Sequence, residues 1–406
     1  MFLSTVLGVL SLFGLAGQTA HLHLAQGETV PFNKEITNFG ATFDSTNAFV
    51  CSVAGLYAFH FHALTRSGSE IWLEIFKNGQ YLASEYASTT GDYAGAGQGI
   101  LLHLVEGDRV YVKAHDNYDN AIYGAGDEDY STFTGVLIRP GIFENLQNND
   151  DAFGFSVGLD HHVVLDGDKV KYNVTITNVT STQLYLDMYH NDQYVVSAYG
   201  FKSDSFADAG NTVILYIHAG DKIYIKGSDN EAVQLFGDPT QIYNTFSGAL
   251  LSGTYTPQGN QVPPPEVAFS VGSTVNLNGN LTSDHKIKYD RIFTNLGNAY
   301  NPNTGVFTCR YSGIYVFHFH ALSQLDKPIY IDLYHNYLYV DSLYGHNPGG
   351  YAAGSNTAVI ELLSGDTVYL DESSYNSFEY GGVYEVYSTF SGYFLAPQFN
   401  YHAVIG

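Results

Sequence analysis

"GLYAFHFHAL" occupies residues 55–64 and "GIYVFHFHAL" residues 313–322. In an extended strand successive side chains alternate faces, so Phe59 and Phe61 point one way while His60 and His62 point the other. The same alternation separates Phe317 and Phe319 from His318 and His320. Two histidines at i and i+2 stand about 7 Å apart on one strand, and zinc held there needs a third ligand from elsewhere. No Cys or carboxylate of suitable spacing adjoins them in sequence. The four histidines are therefore read as packed at a sheet face or subunit contact and hydrogen-bonded, with the phenylalanines filling a sandwich core.

The strand belongs to a repeat. "EIWLEIFKNGQYLAS" (70–84), "QLYLDMYHNDQYVVS" (183–197) and "PIYIDLYHNYLYVDS" (328–342) share one alternating pattern, each with an acid at the same place: Glu74, Asp187 and Asp332. A Gly-Asp turn and a strand follow at Gly107, Gly220 and Gly365, and each copy closes on "YSTFTG", "YNTFSG" or "YSTFSG" from Tyr130, Tyr243 and Tyr387. Self-similarity of this kind marks tandem structural units. Register refines it: Asn38 to Asn295 is 257 positions, and His60 to His318 and Gly107 to Gly365 are both 258, so copies one and three are collinear. Asn38 to Asn178 is 140 positions but Asn78 to Asn191 only 113, so the middle copy lacks 27 residues, those of the FHFH strand. Short period-two strands separated by turns such as Lys77-Asn78-Gly79, with no helical periodicity, predict antiparallel sandwiches or jelly rolls.

Composition sets outer bounds. The 406 residues carry 16 Lys+Arg against 40 Asp+Glu, a formal net charge of −24. Such a field repels phosphate backbones and anionic membranes, which argues against nucleic acid as a partner and leaves divalent cations, basic partners and neutral glycans. With 42 Gly, 34 Tyr and 26 Phe, the residue choice favours aromatic strands and glycine turns. Residues 2–16, "FLSTVLGVLSLFGLA", read as the apolar core of a secretory signal ending near Ala16 to Ala20, although no Lys or Arg precedes it. No later stretch is long and apolar enough to span a bilayer. The expected organisation is a signal peptide over 1–20 and a first domain over 21–140. A linker over 141–152, a shortened second domain over 153–254, a proline-rich linker over 255–265 and a third domain over 266–397 complete it.

The segments "FVCSVAGLYAFHFHAL", "WLEIFKNGQYLASEYA", "LLHLVEGDRVYVKAHD" and "YGAGDEDYSTFTGVLIRP" resemble the globular domain of the complement C1q family, and copy three repeats them with "FTCRYSGIYVFHFHAL" and "YSTFSGYFLAP". The resemblance covers essentially the whole mature chain. It implies an all-β fold of three tandem C1q/TNF-like jelly-roll sandwiches, the middle one truncated, that assembles in threes and binds ligands rather than catalysing reactions. There is no Gly-X-Y tract and hence no collagen stalk. Stalkless tandem forms resemble invertebrate, mollusc-like members of the family that act as soluble recognition molecules or as body-fluid and shell proteins.

Candidate site residues follow. Asp116, Asp127, Glu128 and Asp129 supply hard oxygens in a glycine-containing loop, a set that suits calcium, though no EF-hand spacing is present. C1q-like trimers bind calcium near one end of the trimer axis, so the resemblance points the same way, and a plain solvated acidic loop is the alternative. Tyr118, Tyr123 and Tyr130 offer stacking faces for a sugar or serve packing. Asn173, Asn178 and Asn280 stand in glycosylation sequons, which fits a secreted, extracellular glycoprotein. Cys51 and Cys309 occupy equivalent places in separate copies and are read as buried free thiols. No nucleophile elbow, zinc-protease helix or phosphate loop is present, so no enzyme is expected. The expected function is calcium-assisted recognition of glycan or protein ligands, as in innate immunity. The alternative is an acidic, metal-holding matrix or body-fluid protein of mineral deposition. Trimer formation is expected either between chains or within one chain.

Overall fold

The computed structural model describes residues 12–16, 22–32, 42–116, 120–124, 130–140, 154–158, 163–165, 183–201, 209–227, 233–235, 245–251, 267–278, 285–372, 377–383 and 386–397. Every regular element among them is a strand, as the alternating sequence requires. Among the described residues no helix is long and apolar enough to cross a membrane.

Two strands organise each complete domain. The FHFH strand, Gly55–Leu64 in domain 1 and Gly313–Leu322 in domain 3, lies between the closing strand (Thr132–Pro140 or Thr389–Pro397) and a third strand (Gly95–Leu104 or Ala353–Leu362). His62 faces Thr132 across the ladder and His320 faces Thr389, the same register in both copies. A second five-stranded sheet, carrying Glu70–Lys77 or Ile329–His335, packs face to face on the first. The core between them is aromatic: Phe59, Phe61, Phe317 and Phe319 are at most 2% exposed. Phe59 stacks on Phe133 at 5.8 Å and Phe317 on Phe390 at 6.0 Å.

The repeated Gly-Asp motif is a turn that three copies build identically. Gly107, Gly220 and Gly365 sit at φ of 88°, 96° and 99°, a region that penalises a side chain. The next residue clamps the turn: Asp108, Asp221 and Asp366 each accept from the side-chain amide of the hairpin asparagine, Asn78, Asn191 or Asn336, at 2.6 Å. Cys51 and Cys309 are buried free thiols, each donating to a carbonyl two residues on, Val53 and Tyr311.

The first strand of each copy shows where the domains begin. Ala16 pairs with Thr132, Gly158 with Thr245, and Gly272 with Thr389, so Leu12–Ala16, Gly154–Gly158 and Ala268–Gly272 occupy one structural position. Leu12–Ala16 was expected inside a signal peptide over 1–20; the pairing places it in the sheet of domain 1, ahead of the expected boundary at residue 21. A short apolar run and an inner-sheet edge strand look alike in composition, and only the long-range partner separates them.

The middle domain keeps the outer hairpin, Gln183–His190 with Gln193–Phe201, and pairs Gly154–Gly158 with its closing strand Thr245–Ala249. Without the FHFH strand, residues 209–217, the counterpart of Ala96–Leu104, form no ladder. Ile217 is 49% exposed, where Leu104 and Leu362 in the same position are fully buried. The linkers 141–152 and 255–265 lie outside the described residues.

Candidate functional site

The three domains meet around a common axis, and one bond repeats at each junction. Thr245 Oγ1 donates to Gln98 Oε1 at 2.5 Å, Thr389 Oγ1 to Asn211 Oδ1 at 2.6 Å, and Thr132 Oγ1 to Asn356 Oδ1 at 2.7 Å. Each amide also donates within its own domain, to Ser84 O, Ser197 O or Ser342 O. Domain 1 thus grips domain 2, domain 2 grips domain 3, and domain 3 grips domain 1. The ring closes within one chain, so the single chain forms its own pseudo-threefold trimer, one of the two arrangements the sequence left open.

Apolar side chains fill the axis. Val136, Ala268, Ile314, Val316 and Tyr393 cluster there with Ile214 packed against them, drawing on all three domains. His318 stacks on the Tyr393 ring of this cluster with centres 6.2 Å apart. His60 and His318 meet edge to face with ring centres 4.9 Å apart, across the junction of domains 1 and 3. His62 donates from Nδ1 to Tyr130 O and His320 from Nδ1 to Tyr387 O, both at 2.6 Å. Burial pushes His60, His62 and His320 down to about 4, and pushes His318 well below the ordinary histidine value, helped by the neighbouring His60. The expectation holds in part: His62, His318 and His320 are packed and hydrogen-bonded, and the ring contact of His60 with His318 lies between two domains of one chain. The deletion explains the missing third histidine, since domain 2 has no FHFH strand to bring one to the axis.

Aromatic clusters seal the junctions further out. Tyr93, Tyr123 and Tyr130 of domain 1 pack with Tyr330 and Tyr344 of domain 3, Tyr93 to Tyr344 at 6.0 Å and Tyr130 to Tyr330 at 6.2 Å. Tyr351, Tyr380 and Tyr387 of domain 3 receive Tyr199 of domain 2 in the equivalent way, Tyr199 lying 5.4 Å from Tyr351 and 6.0 Å from Tyr387. A hydrogen bond between His346 Nδ1 and Asp92 Oδ2 ties domain 3 to domain 1.

The expected site residues distribute unevenly over this frame. Tyr130 is 4% exposed, so its ring is part of the junction and not an open stacking face. Tyr123 is half-buried beside it, with ring centres 5.7 Å apart. Asp116 is paired with Lys113 Nζ at 2.9 Å, and that lysine holds its carboxyl below the usual range. Tyr118, Asp127, Glu128 and Asp129 lie outside the described residues, as do Asn173, Asn178 and Asn280. Among the described residues no group of three or more histidine, cysteine or acidic side chains is arranged to hold a metal. What sequence reasoning missed is the Thr-to-amide bond. Its signal was present, because the Thr of "YSTF", "YNTF" and "YSTF" and the amide residues of "GQG", "GNT" and "SNT" recur in all three copies.

Comparisons with known proteins follow this architecture. The family model described as C1q domain matches residues 13–138, 169–251 and 268–395. Caprin-2 of Danio rerio is 38% identical over 131 residues, which are 32% of this chain and 14% of that protein, so the shared region is a small part of the relative. Among solved structures, the globular domain of zebrafish complement 1qA protein matches 32% of this chain and 99% of its own, at 23% identity and a TM-score of 0.27. Eiger TNF from S. frugiperda matches 34% of this chain and 96% of its own, at 11% identity and a TM-score of 0.28.

Proposed function

The chain belongs to the C1q domain family, and on that premise we propose that it is a secreted recognition protein that captures glycan or protein ligands, assisted by calcium, and transforms none of them. The observation that carries this reading is the closed ring of Thr-to-amide bonds, which holds three like domains side by side in one molecule. Three weak sites on one rigid frame gain by multivalency, because the second and third contacts form at high effective concentration. The acidic loop with Asp127, Glu128 and Asp129 is the calcium ligand set in this reading, and Tyr118 and Tyr123 line the ligand face beside it. Asp116 takes part by giving up its bond to Lys113. Asn173, Asn178 and Asn280 carry glycans added on the secretory route.

The test is binding of the intact chain to glycan and protein arrays with and without chelator. The expected result is saturable binding that weakens on chelation and in an Asp127→Asn, Glu128→Gln, Asp129→Asn variant. Stoichiometric metal uptake with no sugar or protein ligand would instead support the acidic matrix or body-fluid reading, which the charge of −24 favours. Recovery from the medium of expressing cells tests secretion.

A further inference from the structure

Domain 3 carries oxygen where domain 1 has only hydrocarbon. Phe32, Ala114 and Ile122 belong to the core of domain 1, and Phe43 packs against it. Their counterparts in domain 3 are Tyr289, Tyr300, Glu372 and Glu379. Backbone register fixes the correspondence. Val30 N donates to Val112 O as Ile287 N does to Leu370 O, and Ala114 N donates to Glu28 O as Glu372 N does to His285 O. Tyr123 N donates to Leu64 O as Tyr380 N does to Leu322 O, while Phe43 pairs with Phe49 as Tyr300 pairs with Phe307. Four side chains from separate stretches have therefore turned polar together at one end of a single core.

All four are buried: Tyr289 is 1% exposed, Tyr300 2%, Glu372 3% and Glu379 0%. Tyr289 donates its hydroxyl to Glu379 Oε2 at 3.0 Å. Among the described residues both oxygens of Glu372 have no hydrogen-bond partner; Ser388 stands beside Glu379 and the Tyr289 backbone beside the Tyr300 hydroxyl, but neither completes a well-formed hydrogen bond to Glu379 Oε1 or to that hydroxyl. Tyr289 feels the charges of Glu379, Tyr300 and Glu372, which places all four groups around one space. Burial, then repulsion from Glu379 and Asp371, raises Glu372 to about 8, and burial raises Glu379 to about 7. Neither carboxylate is salt-bridged to a described residue.

A buried carboxylate without a partner costs several kcal/mol, and two that converge cost more. A proton on one of them offsets only part of this and still leaves oxygens without partners. We propose that Glu372, Glu379, Tyr289 and Tyr300 form a buried site in domain 3 for one small hard cation, with calcium the first candidate. Carboxylate and hydroxyl oxygens are the donors such an ion prefers, and two negative charges match a divalent one. The site is distinct from the acidic loop around Asp127 and does not rest on the ligand-binding reading.

The test uses the full chain, stripped with chelator and dialysed against radiolabelled calcium, with urea unfolding followed in parallel. The expected result is that Glu372→Gln, Glu379→Gln lowers bound calcium by one ion per chain and abolishes the calcium-dependent rise in the unfolding midpoint. The Asp127→Asn, Glu128→Gln, Asp129→Asn variant retains that ion. Since the glutamine pair leaves buried amides, a second variant restores the domain 1 set: Tyr289→Phe, Tyr300→Phe, Glu372→Ala, Glu379→Ile. It is expected to unfold cooperatively and to be indifferent to calcium. Equal calcium binding by wild type and both variants overturns the proposal. So does a midpoint that ignores calcium and simply rises as pH falls from about 9 to about 6, the sign for raised-pKa acids that share a proton.

Discussion

Leu362 and Ile217 occupy equivalent positions in domains 3 and 2, yet the first is fully buried and the second 49% exposed. The difference comes from one missing neighbour. In domain 3 the FHFH strand pairs with Ala353–Leu362 along ten registers and puts Phe317 and Phe319 over the core. In domain 2 that strand is deleted, residues 209–218 find no ladder, and Val213 and Leu215 pack instead in a cluster with Val386 and Phe293 of domain 3. A sandwich that has lost its middle strand is thus completed from outside: Val386 N donates to Tyr194 Oη, Ser197 N to Val386 O, and Asn211 Nδ2 to Tyr387 O.

The largest expected effect breaks the comparison apart. Residues 153–254 expressed alone are predicted to show no cooperative urea unfolding by far-ultraviolet circular dichroism, whereas residues 266–397 alone unfold in one transition. A cooperative transition of the middle piece would remove the dependence on neighbours. Next, Phe317→Ala in the intact chain is expected to cost about 3–5 kcal/mol, and Phe59→Ala a similar amount. Ile217→Ala, at the half-exposed position, should stay within about 0.5 kcal/mol. Equal costs at Phe317 and Ile217 would show that domain 2 has rebuilt a core.

Acid should then loosen the junction between domains 1 and 3. The folded-state values of His60 and His318 lie below the unfolded value near 6.5, so the stability they contribute is complete above that value and is lost as pH falls toward about 4. The groups facing them are Gly99, Thr357 and the Tyr393 ring, and no acid among the described residues is there to hold a proton. The slope should approach about 1.4 kcal/mol per pH unit per histidine. Urea midpoints measured across this range should fall less steeply in His60→Gln, His318→Gln, the remaining slope coming from His62 and His320; an unchanged slope would move the effect elsewhere. The smallest effect sharpens the role of the repeated bond. Thr389→Val should cost about 0.5–1.5 kcal/mol by removing one of the two bonds that Asn211 Oδ1 accepts, the Thr212 N–H bond remaining, and faster amide exchange should appear at the junction of domains 2 and 3 with domain 1 unaffected.

Much of this was legible in the chain. The alternation of "FHFH" fixes the faces of Phe59, His60, Phe61 and His62 and of their counterparts in copy three, and the register arithmetic locates the deleted strand. What was not legible was long-range. Leu12–Ala16 pairs with Thr132–Val136, a partner more than a hundred residues away that a leader reading does not foresee, and cleavage near Ala16 would remove that pairing. Tyr130 reads as a sugar platform until the neighbouring domain covers it with Tyr330. The buried glutamates were visible as letters, but their meaning required setting Ile122 against Glu379 and Ala114 against Glu372, a comparison between copies rather than along one.

A ring joined by three different Thr-to-amide junctions inside one polypeptide does not come apart on dilution, because its members never leave one another's vicinity. It is also released from the rule that a trimer of identical subunits must repeat every substitution three times. One domain can then forfeit a strand and another can acquire charge in its interior, while the remaining one keeps the frame.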